Sequence, residues 1–404
     1  MEDRATASTH SRAISGRTGI DRTHKETGCN IRRMRPLTCY VALTLVLAAG
    51  STQIGPALPR FTTAIQLETT SDPSANVSIG DLDGDGDLDI VLAKGRHDPY
   101  VDKVLLNDGK GHFVTSDLGP TADRTYTAAL ADLDGDGDLD VVISNDSPDK
   151  KLLYFNDGKG RFSVAGTWGV AAWSTRNAAI ADLNGDGRPD VIAANRPGPS
   201  YVCLNGGRGR LVSPCIPIPA ESATTIVPAD FDKDGHIDLA VPSRDGGQSR
   251  VYFNDGNAGF ARTVAFGPSD AAARVGAAAD FDGDGSVDLA VGDEAAASLT
   301  VYMNDGKGRL TPGFQIADKQ RTPYAMTTAD LNGDRHPDIV LGYTEGPHSI
   351  FINDRSGKRF VEVKFGDKAG AAYGFAIGDI TGDGRPDIAL ARSGAPNVLY
   401  LNGK

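Results

Sequence analysis

The stretch Asp81-Leu82-Asp83-Gly84-Asp85-Gly86-Asp87-Leu88-Asp89 is the first of seven related acidic loops in this chain of 404 residues. The other loops begin at Asp132, Asp182, Asp230, Asp280, Asp330 and Asp379, so successive copies start 48 to 51 residues apart. Side-chain oxygens recur at the first, third, fifth and ninth positions, and a backbone carbonyl is expected to serve at the seventh. Calcium takes about six to eight oxygen ligands, mostly carboxylates and carbonyls. The pattern therefore predicts up to seven calcium sites in a solenoid or propeller.

The charge of the chain agrees with metal binding. The formal net charge is −12, and residues 51–404 alone contain 33 basic and 49 acidic residues. Much of this excess lies in the acidic loops, where bound divalent ions would nearly neutralise it. A chain this acidic is a poor match for a polyanion such as nucleic acid. We therefore expect no nucleic-acid partner.

The first 50 residues resemble a leader rather than part of a fold. Arg32, Arg33 and Arg35 precede an apolar run from Leu37 to Ala49, which is the pattern of a secretory signal peptide. The run is shorter than the ~20 residues that a membrane-spanning helix needs. We expect a leader over 1–50, with Met34 as a possible true start, and a linker over 51–57. The predicted product is secreted or periplasmic, without a membrane span after cleavage.

Each repeat reads as four short strands. In the second repeat these cover 127–131, 140–143, 152–155 and 161–164, and the Asn-Asp-Gly-Lys-Gly turn at 156–160 joins the last two. Asn and Gly allow the positive φ angles of tight hairpins. The run 141–143, directly after Asp140, is wholly apolar, as expected for a strand covered on both faces. Neighbouring blades of a propeller supply both covers.

The two ends of the repeat region predict a closed ring. The last repeat stops within its turn at 401–404, and the missing fourth strand resembles the segment 60–65. Pairing of that N-terminal strand with the seventh blade would remove an exposed edge. We therefore predict an all-β, seven-bladed β-propeller over 58–404, with four antiparallel strands per blade, as a monomer.

The units Ala131–Asp140 and Asn156–Phe162 resemble the FG-GAP/VCBS repeat, which also builds the propeller of integrin α chains. The resemblance covers about 58–404 and implies a calcium-binding propeller without specifying an activity. Carried over loop by loop, the implied calcium ligands are Asp81, Asp83, Asp85 and Asp89; Asp132, Asp134, Asp136 and Asp140; Asp182, Asn184, Asp186 and Asp190; Asp230, Asp232, Asp234 and Asp238; Asp280, Asp282, Asp284 and Asp288; Asp330, Asn332, Asp334 and Asp338; and Asp379, Asp383 and Asp387.

Two loops depart from the family pattern. Arg335 replaces the glycine of the sharp turn in the sixth loop, and Thr381 is a poorer third ligand in the seventh. We expect these two sites to bind calcium most weakly. An EF-hand would need a Glu at the twelfth position, but the corresponding residues here, such as Leu92 and Ile143, are apolar.

The face opposite the acidic loops is the candidate ligand face. Tyr and Arg side chains are expected around its centre, where they can stack on sugar rings and bind hydroxyls or carboxylates. The residues predicted to bind ligand are Tyr126, Arg176, Arg196, Arg244, Arg274, Tyr324 and Tyr373. Trp168 and Trp173 are expected to add apolar surface there. The alternative is that all of these are ordinary loop ends and packing between blades.

Three functions remain open from the sequence. The first is a secreted module that binds a glycan or a cell-surface protein. The second is a polysaccharide lyase, in which Tyr126 beside Arg176 would act as the base. The third is a purely architectural exported protein. The binding module is preferred because no Ser/His/Asp or zinc-ligand spacing is present.

Two cysteines, Cys203 and Cys215, follow the predicted leader and fall on adjacent predicted strands. In an oxidising compartment they can form a local disulfide. Two separate thiols are the alternative, because their spacing does not place them directly opposite each other.

Overall fold

The computed structural model describes residues 58–403, which form 28 strands and no helix. The predicted leader and linker, together with Lys404, lie outside the described residues. The strands are β1 (Arg60–Gln66), β2 (Ser74–Gly80), β3 (Asp89–Lys94), β4 (Lys103–Asn107), β5 (Phe113–Asp117), β6 (Thr125–Ala131), β7 (Asp140–Asn145), β8 (Lys151–Asn156), β9 (Phe162–Trp168), β10 (Thr175–Ala181), β11 (Asp190–Asn195), β12 (Pro199–Cys203), β13 (Ile216–Glu221), β14 (Val227–Ala229), β15 (Asp238–Val241), β16 (Arg250–Phe253), β17 (Arg262–Ala265), β18 (Ala273–Ala279), β19 (Asp288–Asp293), β20 (Ser298–Asn304), β21 (Leu310–Ala317), β22 (Pro323–Ala329), β23 (Asp338–Tyr343), β24 (His348–Asn353), β25 (Phe360–Phe365), β26 (Ala371–Gly378), β27 (Asp387–Ser393) and β28 (Val398–Gly403).

These strands form seven antiparallel sheets of four, which are the blades of a propeller. Blades one to six are β2–β5, β6–β9, β10–β13, β14–β17, β18–β21 and β22–β25. The seventh blade combines β26, β27 and β28 with β1, which pairs antiparallel with β28. The predicted seven-bladed all-β fold is confirmed. Among the residues described, nothing helical has the length and apolar character to cross a bilayer.

The core is divided into seven apolar layers, each shared by two neighbouring blades. Ile90 and Leu92 of blade one, for example, pack in one layer with Ala389 and Leu399 of blade seven. Every large apolar residue at the second loop position is buried, as predicted. These residues are Leu82, Leu133, Leu183, Phe231, Phe281, Leu331 and Ile380, and each is 2 % exposed or less.

Small residues directly before the loops allow the innermost strands to approach one another. A Cβ on Gly80 would lie 2.5 Å from Cδ1 of Leu139 in the next blade, and a Cβ on Gly378 would lie 2.7 Å from Cδ1 of Leu88. Real Cβ contacts are essentially never this short. A Cβ at either glycine would therefore displace a leucine methyl, which shows how closely the innermost strands approach one another.

A pair of polar side chains, here named the Asp–Asn clasp, joins each blade to the one before it. In blade five, the ninth loop residue Asp288 accepts the N–H of Phe281 at 3.1 Å and the N–H of Asn304 at 2.8 Å. The Asn304 amide then donates to the carbonyl of Phe231 in blade four at 2.8 Å. All seven blades make this inter-blade bond, through Asn107, Asn156, Asn205, Asn254, Asn304, Asn353 and Asn402.

The clasp also closes the ring. Asn107 of blade one donates to the carbonyl of Ile380 in blade seven at 2.8 Å. This bond spans the two ends of the repeat region, as does the pairing of β1 with β28. Seven equivalent bonds between buried groups therefore run around the whole propeller.

The two cysteines that follow the predicted leader form a disulfide. Cys203 and Cys215 are bonded, with 4.4 Å between their Cα atoms. The sequence leaves open a local disulfide or two separate thiols, and the structure contains the disulfide. It ties the end of β12 to the residue that precedes β13.

Replacing Asn304 by Ala tests the clasp. The substitution leaves the buried carbonyls of Phe231 and Val287 without their amide donor. We expect the free energy of unfolding to fall by about 2–4 kcal/mol, because buried acceptors lose their partners and a small cavity forms. Chemical denaturation measures this loss. Lys307→Ala, at an exposed position of the same turn, is the control, and equal stability of the two variants would contradict the clasp.

Candidate functional site: acidic loops and an arginine–tyrosine funnel

Each acidic loop is wrapped around its own first carboxylate. In the first loop, Asp81 accepts the N–H groups of Gly84 at 2.8 Å and Gly86 at 3.1 Å. Asp85 in turn accepts the N–H of Asp87 at 2.9 Å. These bonds hold the side chains of the loop in a compact turn on one end of the blade.

The loops bring carboxylates together in the way that a cation requires. Ligand atoms of three acidic residues lie within 4.8 Å of one another in loops one, two, four and five. In the fourth loop, Oδ1 of Asp230 and Oδ1 of Asp232 are buried without a hydrogen-bond partner. Clustered carboxylate oxygens without donors fit a hard divalent ion such as calcium.

The remaining loops differ in their charge balance. An arginine contacts one of the predicted ligands in loops three, six and seven, through the pairs Arg188–Asp186, Arg355–Asp334 and Arg385–Asp383. Loop four has a similar pair, Arg262–Asp232. A guanidinium beside a carboxylate competes with a metal ion for the same oxygens. Loops one, two and five have no such contact among the ion pairs of the described residues.

Two loop residues adopt the left-handed backbone that glycine favours. Arg335 has φ +69°, at the position that the sequence analysis identified as a departure from the glycine pattern. Lys233 in the fourth loop has φ +61°, where the first loop has Gly84 at φ +77°. Such a φ is uncommon for a residue with a Cβ. The fourth loop thus departs from the pattern as well, which the sequence analysis did not note.

The ninth carboxylate of each loop has a second role as part of the clasp. Burial raises the pKa of Asp89, Asp140, Asp238 and Asp288 to about 6. In the seventh loop the Thr381 hydroxyl donates to Asp387 at 3.2 Å. The third position of this loop therefore supplies a hydrogen-bond donor to Asp387, where the other loops have an Asp or Asn side chain.

Asp134→Asn tests whether the loops bind calcium. In the unaltered protein, Oδ1 of Asp134 accepts the N–H of Asp136 at 3.2 Å. In the variant, the amide oxygen can still accept this bond, but the loop loses one negative charge. We expect one fewer calcium ion per chain by titration calorimetry. In saturating calcium the Tm should fall by about 2 °C or more. In chelator the Tm should be unchanged or raised, because like charges repel less.

The control for this variant is Asp157→Asn, which removes an exposed carboxylate from the neighbouring turn of the same blade. It should leave the calcium stoichiometry unchanged. If Asp134→Asn binds as many ions as the unaltered protein, the assignment of the second loop is wrong.

The opposite ends of the same strands surround a cavity of about 200 Å³, here named the funnel. All seven residues that the sequence predicts to bind ligand line it: Tyr126, Arg176, Arg196, Arg244, Arg274, Tyr324 and Tyr373. The funnel also includes Arg96 and His97. Neither residue was among those that the sequence predicts to bind ligand.

β-bulges place the innermost ring of these side chains. In blade two the register passes from the pair Thr125–Asn145 to the pair Thr127–Ser144, so Tyr126 has no partner on β7. The same shift skips Arg176, Arg274, Tyr324 and Tyr373 in their blades. A bulge bends the strand and redirects the extra side chain. Thr224 at the equivalent position of blade four precedes β14 instead.

The arginines of the funnel are partly neutralised by three carboxylates from its rim. Arg176 pairs with Asp146 at 2.7 Å, and Arg196 pairs with Asp245 at 2.7 Å. Two further arginines share one partner. Arg244 lies 2.9 Å and Arg274 lies 3.2 Å from a carboxylate oxygen of Glu294. Five guanidiniums, including Arg96, therefore face three carboxylates in the contacts of the described chain.

Arg96 is the arginine without a carboxylate partner among these contacts. Its guanidinium carbon lies 3.6 Å from the ring centroid of Tyr373. Its Nη1 reaches only the Ser393 hydroxyl, at 3.4 Å, and its Nε is buried without a partner. The Nε of Arg176 is also buried without a partner. Unsatisfied buried donors of this kind are suited to an anionic ligand.

Tyr126 and His97 form a second feature of the funnel. The Tyr126 hydroxyl lies 3.1 Å from Nε2 of His97, and the guanidinium carbon of Arg176 lies 4.6 Å from the Tyr126 ring centroid. Partial burial and the charges of Arg96 and Arg176 lower the pKa of His97, while burial raises the pKa of Tyr126. At neutral pH the imidazole is thus neutral and the phenol is protonated.

The tryptophans do not join the funnel, so that expectation was wrong. Trp168 is buried and donates its Nε1–H to the carbonyl of Ile143 at 3.0 Å. Trp173 stacks on Tyr201 at the side of blade three. Neither tryptophan is among the residues that line the funnel.

The fold and the repeated loops define this protein as a seven-bladed β-propeller. Six overlapping segments match the family described as FG-GAP-like repeat, at 81–143, 132–193, 182–241, 230–291, 280–341 and 330–390. These segments cover most of the chain. The chain belongs to this family. No curated protein sequence matches it significantly.

Solved propellers resemble the chain in fold. A crystal structure of BBS1N in complex with ARL6DN, soaked with mercury, has a TM-score of 0.59 and 13% identity, over 86% of this chain and 97% of that one. The WD40 β-propeller domain of Doa1 has a TM-score of 0.57 and 11% identity, over 86% and 97%. At these identities the likeness supports the fold and nothing more.

Proposed function

We propose that this protein is an exported, calcium-binding propeller that binds an acidic glycan in its funnel. The observation that carries the proposal is the excess of guanidiniums, with Arg96 unpaired, at the centre of a strongly acidic molecule. Arginine forks bind carboxylates and sulfates in two parallel hydrogen bonds. The tyrosine rings beside them offer flat surfaces for sugar rings.

The geometry favours an anion over a neutral ligand. Arg274 lies over the ring of Tyr324 at 3.3 Å, and Arg96 lies over Tyr373 at 3.6 Å. Tyr324 and Tyr373 meet edge to face, with 4.9 Å between their centroids. This packing holds the guanidiniums in place before a ligand arrives, which lowers the entropic cost of binding.

Calcium would support this function from the opposite end of the blades. Ions in the acidic loops would stabilise the hairpins that carry the funnel residues, and extracellular calcium is abundant enough to occupy weak sites of the 10⁻⁴–10⁻³ M class. Export from the cell is proposed on the signal-like leader alone. A protein ligand with an acidic patch is the other candidate partner; BBS1N, which is similar to this chain in fold, was crystallised in complex with ARL6DN.

Arg96→Ala tests the funnel. We expect the affinity for an acidic oligosaccharide such as polygalacturonate fragments to fall by about 10- to 150-fold, because a charge-assisted hydrogen bond is worth about 1.5–3 kcal/mol. Titration calorimetry at low salt gives the Kd. Binding of the unaltered protein should also weaken as salt is raised, because the charges are screened.

Arg161→Ala is the matched control, because Arg161 is an exposed arginine at the other end of a blade. It removes one positive charge from the protein without touching the funnel. Equal affinities of both variants would overturn the funnel as the binding site. If acidic glycans do not bind at all and an acidic protein does, the glycan assignment is wrong.

The second candidate function is a polysaccharide lyase, and the contact between Tyr126 and His97 favours it. Neutral His97 could take the C5 proton of a uronate whose carboxylate is bound by Arg176. The C4–O bond would then break, a C4–C5 double bond would form, and the Tyr126 hydroxyl would protonate the departing oxygen. Both groups are in the protonation states that these roles need.

Tyr126→Phe separates catalysis from binding. If the protein is a lyase, ultraviolet absorbance of unsaturated uronate should develop with the unaltered protein. The variant should lose about 10²-fold or more in rate while keeping similar affinity. Absence of new absorbance on a panel of uronate polymers would remove the lyase and leave the binding module.

A further inference from the structure

A second cavity lies at the side of the propeller and shares no lining residue with the funnel. It has a volume of about 340 Å³ and is formed where the end of β9, the link 169–174, β12 and the β12–β13 connection meet. Its walls include Trp168, Trp173, Tyr201 and the disulfide cysteine Cys215. We name it the aromatic pocket. A volume of this size lies at the lower end of the range for small-molecule sites.

The walls of the aromatic pocket are held in place by contacts of their own. Trp173 stacks on Tyr201 with 4.1 Å between ring centroids and 12° between the planes. Gly169 also packs closely against Trp173, since a Cβ there would lie 2.5 Å from the indole ring. The buried ammonium of Lys151 donates to the carbonyl of Trp173 at 2.5 Å. These contacts therefore restrict the position of the Trp173 ring.

The chemistry of the lining indicates what the pocket can hold. No charged side chain is among the residues that line it in the described structure. Thr167, Tyr201 and Ser213 bring hydroxyl groups, and Val170 and Val212 bring exposed aliphatic surface. A charged ligand would lose hydration here without gaining an ionic partner.

We propose that the aromatic pocket binds an uncharged sugar ring. A pyranose has C–H faces that pack on aromatic rings and an edge of hydroxyls that exchanges hydrogen bonds with Thr, Ser and Tyr side chains. A purely aromatic ligand would match the rings but would leave the three hydroxyls without partners. This site is independent of the acidic ligand proposed for the funnel and stands if that proposal fails.

The position of the tryptophans makes the test direct. The chain contains two tryptophans, and both line the aromatic pocket. Tryptophan fluorescence, excited selectively over that of the eleven tyrosines, therefore reports on this site. Titration with neutral oligosaccharides of glucose, galactose, mannose and N-acetylglucosamine should change the emission in a saturable way for at least one of them, with a Kd of about 1 mM or below.

Val212→Asp should abolish that signal, because it places a charge on the exposed rim of the pocket. Val164→Asp is the matched control, since Val164 is equally exposed on β9 and does not line the pocket. Tyr201→Phe, which keeps the stack and removes one hydroxyl, should weaken binding about threefold to tenfold. Arg96→Ala should leave the fluorescence titration unchanged.

Three results would overturn the proposal. One is the absence of a saturable change with every neutral sugar. Another is a change that survives in both Val212→Asp and Tyr201→Phe. The third is a response to phenol or indole with none to sugars, which would make the pocket an aromatic-binding site. Melting curves of the variants in calcium show whether each is folded at the temperature of the titration.

Discussion

The structure depends on the buried Asp–Asn clasp more than on any other polar interaction. In blade five, the aspartate that ends the acidic loop accepts one backbone N–H group from its own loop and one from the third strand of its blade. The asparagine at the end of the third strand then donates to the preceding blade. Because these groups are buried, losing one leaves others unsatisfied. Apolar layers between blades provide the bulk of the stabilisation, and the clasp fixes the register in which they pack.

The same hairpins organise two chemically opposite ends. Carboxylates cluster at one end, where clustered oxygens fit divalent cations. At the other end, bulges in the innermost strands direct Tyr126, Arg176 and Arg274 into the central cavity. The innermost strand of each blade connects the two ends. An ion bound in an acidic loop would therefore also restrict the movement of the funnel residues on the same strand.

The balance of charge distinguishes the funnel from the aromatic pocket. The funnel combines five arginines with three paired carboxylates and so has a local excess of guanidiniums within an acidic protein. The aromatic pocket has no charged lining residue and offers rings and hydroxyls. The funnel is lined by residues from around the whole ring, whereas the aromatic pocket is confined to residues 167–215. Each would recognise the ligand that its own electrostatics and shape accept.

The sequence alone determined the propeller, its seven blades, the acidic loops and the identity of seven funnel residues, because strict repetition assigns the same place in each blade to the same position in the repeat. It did not determine the clasp, since Asn304 reads as a turn residue and its partner Phe231 lies in another blade. It also misplaced Trp173, whose direction depends on Gly169 and Tyr201. The pairing of Cys203 with Cys215 and the isolation of Arg96 likewise required the tertiary structure. Local pattern fixes which element a residue belongs to, whereas contacts between distant segments decide where its side chain points and what neutralises it.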